Sequence, residues 1–421
     1  MSTSQTTPTA DTPAPAADPR LLVRQGGVAG YADEFRRKIR SGELGALPVV
    51  LGLILIAIIF QSVTGHFLQA DNLTNITKWI AGYGLISVGV VFVLLLGEID
   101  LSLGSVAGAC AAVTSVLAVR QGLNEWLAIL LALLTAGAMG ALHGFFFARI
   151  GVPAFVVTLA GMLAWSGLQD YVLGKLGTVN NINDGVVAHL DNYFLGDGDI
   201  LFAWLAAVLA VAGYGAAQVL TARRRTAAGL PARPVGEIAL RTGALAVVAL
   251  VSAWTLNQDS GLPLPLVVLV GVVALTDFVL RRTSYGRQIF AVGGGIEAAR
   301  RAGINVARVR ISVFMISAML AGLGGLFIAS QQGSADKLLG SGNVLMSAIA
   351  AAVIGGTSLF GGRGSTWSAL LGMLVIQSIT TGLDMVHAAQ AIQYMITGAV
   401  LLGAVVLDSV SRRTQKSAGR G

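Results

Sequence analysis

The sequence predicts an all-α, polytopic membrane protein of about ten to twelve transmembrane helices, and three observations predict it. Only 12% of the 421 residues are charged and 55% are hydrophobic, with a mean hydropathy of +0.75. Soluble domains carry about a quarter charged residues, so this chain cannot dress a water-facing surface. Apolar stretches of roughly 20 residues recur, each long enough to cross the hydrocarbon core as a helix. Glycine is abundant, at 54 residues, as suits helices that pack closely where no water drives them together. The lone Cys110 excludes an internal disulfide.

Taken in order, residues 1–45 read as a disordered, Ser/Thr/Pro/Ala-rich and then basic tail. They lack the basic start, short apolar core and cleavage site of a signal peptide, so the first apolar segment is expected to stay as an anchor. A membrane domain over 46–410 follows, then a short basic tail over 411–421. Twelve candidate spans fall at 47–65, 79–97, 101–119, 126–147, 152–174, 200–220, 239–257, 262–280, 311–332, 344–360, 366–383 and 391–410. With the N-terminus inside, all but four of the 28 basic residues lie in cytoplasmic segments, the exceptions being Lys78, Arg120, Lys175 and Lys337. The positive-inside rule therefore puts both termini in the cytoplasm. The same segregation explains the net charge of +7 without nucleic acid, because the arginines mark topology. Trp79, Trp126 and Trp254 stand at predicted outer span ends, where amphipathic rings anchor. Gly104 with Gly108, and Gly140 with Gly144, recur at helical spacing and suit close helix approach.

Polar chemistry concentrates in a few places. The connection GEIDLSLGS (97–105) leaves almost no loop between two spans. A carboxylate at mid-bilayer costs roughly 2.5–3.5 kcal/mol, so Glu98 and Asp100 are expected near an interface or a wet cavity. Asp100 can cap the helix that follows, with Ser102 and Ser105 in its first turn. This segment is either a capped re-entrant turn or a broken helix lining a path. A second glycine-rich break, IGGTSLFGGRGSTW (354–367), is no phosphate loop, since the Gly-Lys-Ser/Thr ending is absent throughout. Thr158, Gln169 and Asp170 in the fifth span, and Gln377 in the eleventh, are further pathway candidates. Hydroxyls and amides with few charges suit a neutral polyol better than an ion, although such groups also bond neighbouring helices. No HExxH, cysteine cluster or GxSxG is present, so neither a metal site nor a membrane enzyme is indicated. A proton-coupled carrier would need a buried titratable carboxylate, for which Asp170 is the candidate.

The basic run over 281–310 differs from the other connections because it is punctuated as a helix. Gly293, Gly294 and Gly295 precede IEAARRAG; Glu297 stands in the first turn, Arg300 and Arg301 in the last, and Gly303 supplies the stop. Ala298, Ala299 and Ala302 leave a low-relief face suited to a groove on a soluble partner. A self-contained channel needs no such device, whereas a pore subunit moved by a soluble motor does.

EAARRAG (297–303) resembles the docking element of ABC importer permeases, without the Leu-Pro tail of the maltose-type branch. EIDLSLGS (98–105), VPAFVVTLAGML (152–163), YGRQIFAVGGGIEAARRAGINV (285–306) and IGGTSLFGGRGS (354–365) resemble the permeases of pentose ABC importers, in order over about 50–410. Glu98 before Ile-Asp, and the extra 200–280 region with NQDSGLPLPLVVL (257–269), are similar to the D-xylose rather than the ribose branch. The resemblance implies a type II-like importer fold and a homodimeric pore in a bacterial inner membrane. It also implies a separate cytoplasmic ATPase that binds the ATP and Mg²⁺, and an extracytoplasmic sugar-binding protein. No cofactor is then expected in this chain, Glu297, Ala298, Ala299, Arg300, Arg301 and Gly303 couple to the ATPase, and the cargo is D-xylose, or else ribose or another small sugar.

Overall fold

The computed structural model describes residues 47–180, 185–230 and 232–417, and Gly45–Ser409 form one compact unit. The tail expected over 1–45 lies outside the described residues, as does the end of the chain from 418. Fifteen α-helices occur among the described residues: α1 (Leu47–Thr64), α2 (Ala70–Leu95), α3 (Leu103–Ser115), α4 (Glu125–Phe145), α5 (Ala154–Leu173), α6 (Val186–His189), α7 (Ile200–Ala227), α8 (Val235–Asn257), α9 (Leu264–Arg282), α10 (Ser284–Gly294), α11 (Ile296–Arg301), α12 (Val306–Gln331), α13 (Val344–Ile354), α14 (Thr366–Met385) and α15 (Gln390–Ser417). Several start on side-chain caps that accept otherwise unpaired amides. Asn124 Oδ1 accepts from Trp126 N at 3.1 Å, and Asp199 Oδ1 from Leu201 N at 2.9 Å.

Ten of the twelve predicted spans are helices long and apolar enough to cross a membrane, including both α7 and α8 in the 200–257 stretch. The last, 391–410, lies inside the longer α15. The span predicted over 344–360 is corrected. Its helix, α13, has 11 residues, so it rises only about 16 Å, half of the roughly 30 Å hydrocarbon core. Ahead of it the chain is non-helical, a short strand followed by turns over 337–343. After α12, β2 (Ser334–Asp336) pairs antiparallel with β1 (Thr178–Asn180), and the following residues run down the side of α3. Glycine makes that descent possible: a Cβ at Gly104 would overlap the Gly340 carbonyl oxygen, and one at Gly108 the Leu339 carbonyl oxygen. Gln169 on α5 satisfies the exposed backbone, its Nε2 donating to Asp336 O at 2.7 Å and to Leu339 O at 3.0 Å. In a bilayer such non-helical backbone is tolerated only where protein covers it.

α2 and α12 form the central wall, with α3 and α4 against one side and α13 and α14 against the other. Leu85, Ile86, Phe92, Phe314 and Phe327 are fully buried there. Contact is set by missing side chains as much as by these large ones. A Cβ at Gly140 would overlap the Phe314 carbonyl oxygen, and one at Gly89 would lie 2.7 Å from Ser317 O. At one end, Lys78 binds Asp191 at 3.4 Å and Asn192 Oδ1 at 2.5 Å, while Gln331 Nε2 donates to Lys78 O at 2.8 Å. The opposite end, called the basic end below, carries Arg281, Arg282, Arg300 and Arg301.

Candidate functional site

The basic connection is more ordered than its sequence suggested. α9 runs on to Arg282, Thr283 Oγ1 caps α10 by accepting from Gly286 N at 3.2 Å, and only Gly295 separates α10 from α11. The 11-residue α10 is a helix that the arginine run concealed. α11 is the punctuated element. Its terminus is a Schellman closure: Ile304 N donates to Ala299 O at 3.1 Å and Gly303 N to Arg300 O at 3.0 Å, with Gly303 at φ +79°. Arg300 Nη1 lies 3.0 Å from Glu297 Oε1, one turn apart on the exposed surface, a pair worth only about 0–1 kcal/mol to stability. Glu297, Ala298, Arg300, Arg301, Ala302 and Gly303 are exposed, but Ala299 is buried. The expected low-relief face therefore loses Ala299, which seats the helix on the body instead of facing outward.

Beside α11 the turn between α2 and α3 returns into the bundle. Glu98 lies 3.8 Å from Arg310 on α12, and the Arg310 guanidinium sits over the Phe147 ring at 4.2 Å. Burial pushes the Glu98 carboxyl up from its usual range, and Arg310 opposes that shift. The cap expected from Asp100 is corrected: the helix begins at Leu103, not Leu101, with Ser102 at its N-cap and no side-chain cap, and Asp100 Oδ1 instead closes the preceding turn by accepting from Ser102 N at 2.8 Å and Ser102 Oγ at 2.6 Å.

That turn belongs to a longer hydrogen-bond chain which sequence reasoning missed. Trp165 Nε1 donates to His143 Nε2 at 2.9 Å, leaving the proton of a neutral imidazole on Nδ1, 3.3 Å from Ser102 Oγ. Ser102 in turn donates to Asp100. Four residues on α4, α5 and the turn thus form one directed hydrogen-bond chain ending on a buried carboxylate. Its other oxygen, Oδ2, finds no partner among the described residues. Gly161 makes room for the ring, because a Cβ there would overlap His143 Nε2. The signals available in sequence were weak: His143 is the one histidine inside a predicted span, and Trp165 stands 22 residues later with nothing to link them.

The other pathway candidates separate. Ser105 Oγ meets Ser166 Oγ at 2.9 Å, joining α3 to α5. Thr158 is buried, but its hydroxyl donates to Phe155 O at 3.3 Å in its own helix. Gln169 holds the turns that follow β2, and Gln377 Nε2 reaches Thr381 Oγ1 at 3.1 Å on α14, away from the turn. Asp170 is corrected: its side chain is 54% exposed and 4.0 Å from Lys337, so it is no buried titratable carboxylate.

The sequence pattern of the family described as branched-chain amino acid transport system / permease component matches residues 72–405. The chain belongs to this permease family. It is 34% identical over 377 residues to a xylose transport system permease protein of Escherichia coli, covering 89% of this chain and 94% of that protein. A xylose transport system permease protein of Haemophilus influenzae is 30% identical over 383 residues, with 89% and 99% covered. A ribose import permease protein of Bacillus subtilis is 29% identical over 376 residues, with 89% and 96% covered. No solved structure matches the chain. The permease is a multi-pass membrane protein and one component of a transport system.

Proposed function

We propose that this permease is the membrane subunit of an ATP-driven monosaccharide importer, with D-xylose as its cargo and ribose or another small sugar as the alternative. The observation that carries the reading is the exposed, glycine-stopped α11, seated by Ala299 and presenting Glu297, Ala298, Arg300 and Arg301. A separate cytoplasmic ATPase binds ATP and Mg²⁺ and grips this helix. An extracytoplasmic sugar-binding protein delivers the sugar to the opposite end, and a second copy of the chain completes the pore. In a bacterial inner membrane both termini then face the cytoplasm, with the basic end inward as the positive-inside rule requires. Closure of the ATPase on nucleotide pushes α11, and the bundle alternates between outward and inward access. The similarity to xylose and ribose permeases supports the sugar class. Glu98, Asp100, Ser102 and Ser105 remain the pathway candidates beside the turn between α2 and α3.

The test is uptake by vesicles containing the permease, its ATPase and its receptor. Glu297→Lys with Gly303→Val should cut ATP-dependent xylose uptake by at least about tenfold, equivalent to 1.4 kcal/mol of coupling, while membrane insertion persists. Undiminished uptake removes α11 from the motor contact. Labelled ribose and xylose in parallel decide the sugar, and uptake abolished by an uncoupler while ATP stays high would replace the ATP-driven reading.

A further inference from the structure

Directly beneath α11, three chain segments meet backbone to backbone. Gly362 N donates to Leu95 O at 2.9 Å. A Cβ at Gly293 would overlap that same Leu95 oxygen and lie 2.8 Å from Gly362 N. A Cβ at Gly361 would lie 2.8 Å from Gly293 O and 2.9 Å from Gly97 N, and one at Gly97 would lie 3.2 Å from Phe360 O. Gly97, Gly361 and Gly362 also adopt φ values of +79°, +84° and +71°, where side chains are strained. Space alone demands glycine at Gly293, backbone shape favours it at Gly97 and Gly362, and both act at Gly361.

The three segments have different destinations. Gly293 is in the last turn of α10, two residues before the Gly295 joint to α11. Leu95 to Gly97 lead into Glu98, Asp100 and the start of α3. Gly361 and Gly362 lie between α13 and α14. Side-chain contacts can absorb a displacement by changing rotamer; a backbone contact has no rotamers to change, and packed interiors transmit strain.

We propose that Gly97, Gly293 and Gly361 are positioning residues that clamp these segments into one body, so that a push on α11 is delivered to the Asp100 turn and to the α13–α14 connection together. The clamp deepens the importer reading and rests on it. It predicts a phenotype distinct from loss of docking: the motor stays attached and burns ATP, but the wall does not follow.

The experiment uses the complete transporter in vesicles and reads ATPase binding, ATP hydrolysis and xylose uptake. Gly293→Ala and Gly361→Ala should leave ATPase binding within about twofold and lower the sugar moved per ATP by at least about tenfold. Gly294→Ala is the neighbouring control, since a Cβ there meets nothing within 4 Å, and it should behave as the native protein. Full coupling in both variants overturns the clamp. So does loss of ATPase binding in both, because the glycines would then only shape the docking surface. Should neither variant reach the membrane, amide exchange on the native complex decides. The Gly362 amide should stay equally protected without nucleotide and with a trapped ATP analogue, and a rise of about tenfold in either state overturns the clamp. The importer reading fails separately, through absent ATP-driven uptake by the native complex or an indifferent Glu297→Lys variant. The exchange measurement reads the clamp independently of both.

Discussion

Helices α2 and α7 have nearly the same mean hydropathy and similar length, yet 83% of the most apolar stretch of α2 is buried and only 11% of that of α7. The difference lies in their glycines. In α2, a Cβ at Gly82 would lie 2.6 Å from an Ile328 side-chain carbon, one at Gly84 would lie 3.0 Å from Leu269, and Gly89 faces Ser317. In α7, a Cβ at Gly213 meets nothing within 4 Å, and one at Gly215 meets only Thr242 of α8. Hydropathy therefore marks a segment as fit for the bilayer, whereas glycines in register with a neighbour mark it as part of the wall. The α7–α8 pair packs chiefly on itself, with Ala203, Ala207, Ala253, Leu256 and Leu262 clustered between its members at one end.

The sharpest way to break this contrast is to fill a glycine in the wall. Gly325 on α12 faces α3 so closely that a Cβ would overlap the Ala107 carbonyl oxygen. Gly325→Leu should cost more than the ~1–3 kcal/mol typical of overpacking, because a backbone must move, and little monodisperse protein should survive detergent extraction. Next in size is His143→Leu, which leaves the Trp165 N–H and the Ser102 hydroxyl without their ring partner in a buried site. A loss of about 1–3 kcal/mol is expected, seen as a lower melting temperature in detergent. A normal melting temperature would show that the hydrogen-bond chain is dispensable.

Removing the hairpin should do less than either. Leu195 N donates to Leu262 O at 3.0 Å and Leu264 N to Tyr193 O at 2.9 Å, so the two strands entering and leaving it already lie side by side. Replacing residues 196–261 with a short turn removes two crossings, preserves the orientation of everything downstream, and should leave a folded protein that elutes as the native one does. A collapsed or aggregated product would give the hairpin a structural role that its exposure denies. The smallest effect is expected from Gly213→Ala, which fills open space and favours helix by about 0.5–1 kcal/mol, so the melting temperature should hold or rise slightly.

Some of the site was legible in advance because its signals are local. The order Glu297, Arg300, Arg301, Gly303 lies within one helical turn and its stop, and the dipole and left-handed cap that it encodes act over those residues alone. The break at Asp100 is equally local, although its carboxylate closes the turn through Ser102 two positions away instead of capping the helix. Other features escaped because their partners are distant. Ala298 and Ala299 are identical in sequence, and only the body beneath α11 makes one exposed and the other buried. His143 meets Ser102 across 41 positions, and Gly362 meets Leu95 across more than twice the length of any span. Asp170 looked buried by its apolar neighbours, but helix geometry turns it outward toward Lys337.

By itself the sequence determined that the chain is a bundle of bilayer-crossing helices, since length and apolarity act residue by residue on transfer from water to lipid. It determined the capped exposed helix for the same local reason. Tertiary structure alone decided that 344–360 holds only a half-length helix, that α2 is wall and α7 is rim, and that three glycine-containing segments close beneath α11. Those outcomes depend on which backbones come within contact of one another, and contact between distant segments is a property of the packed whole.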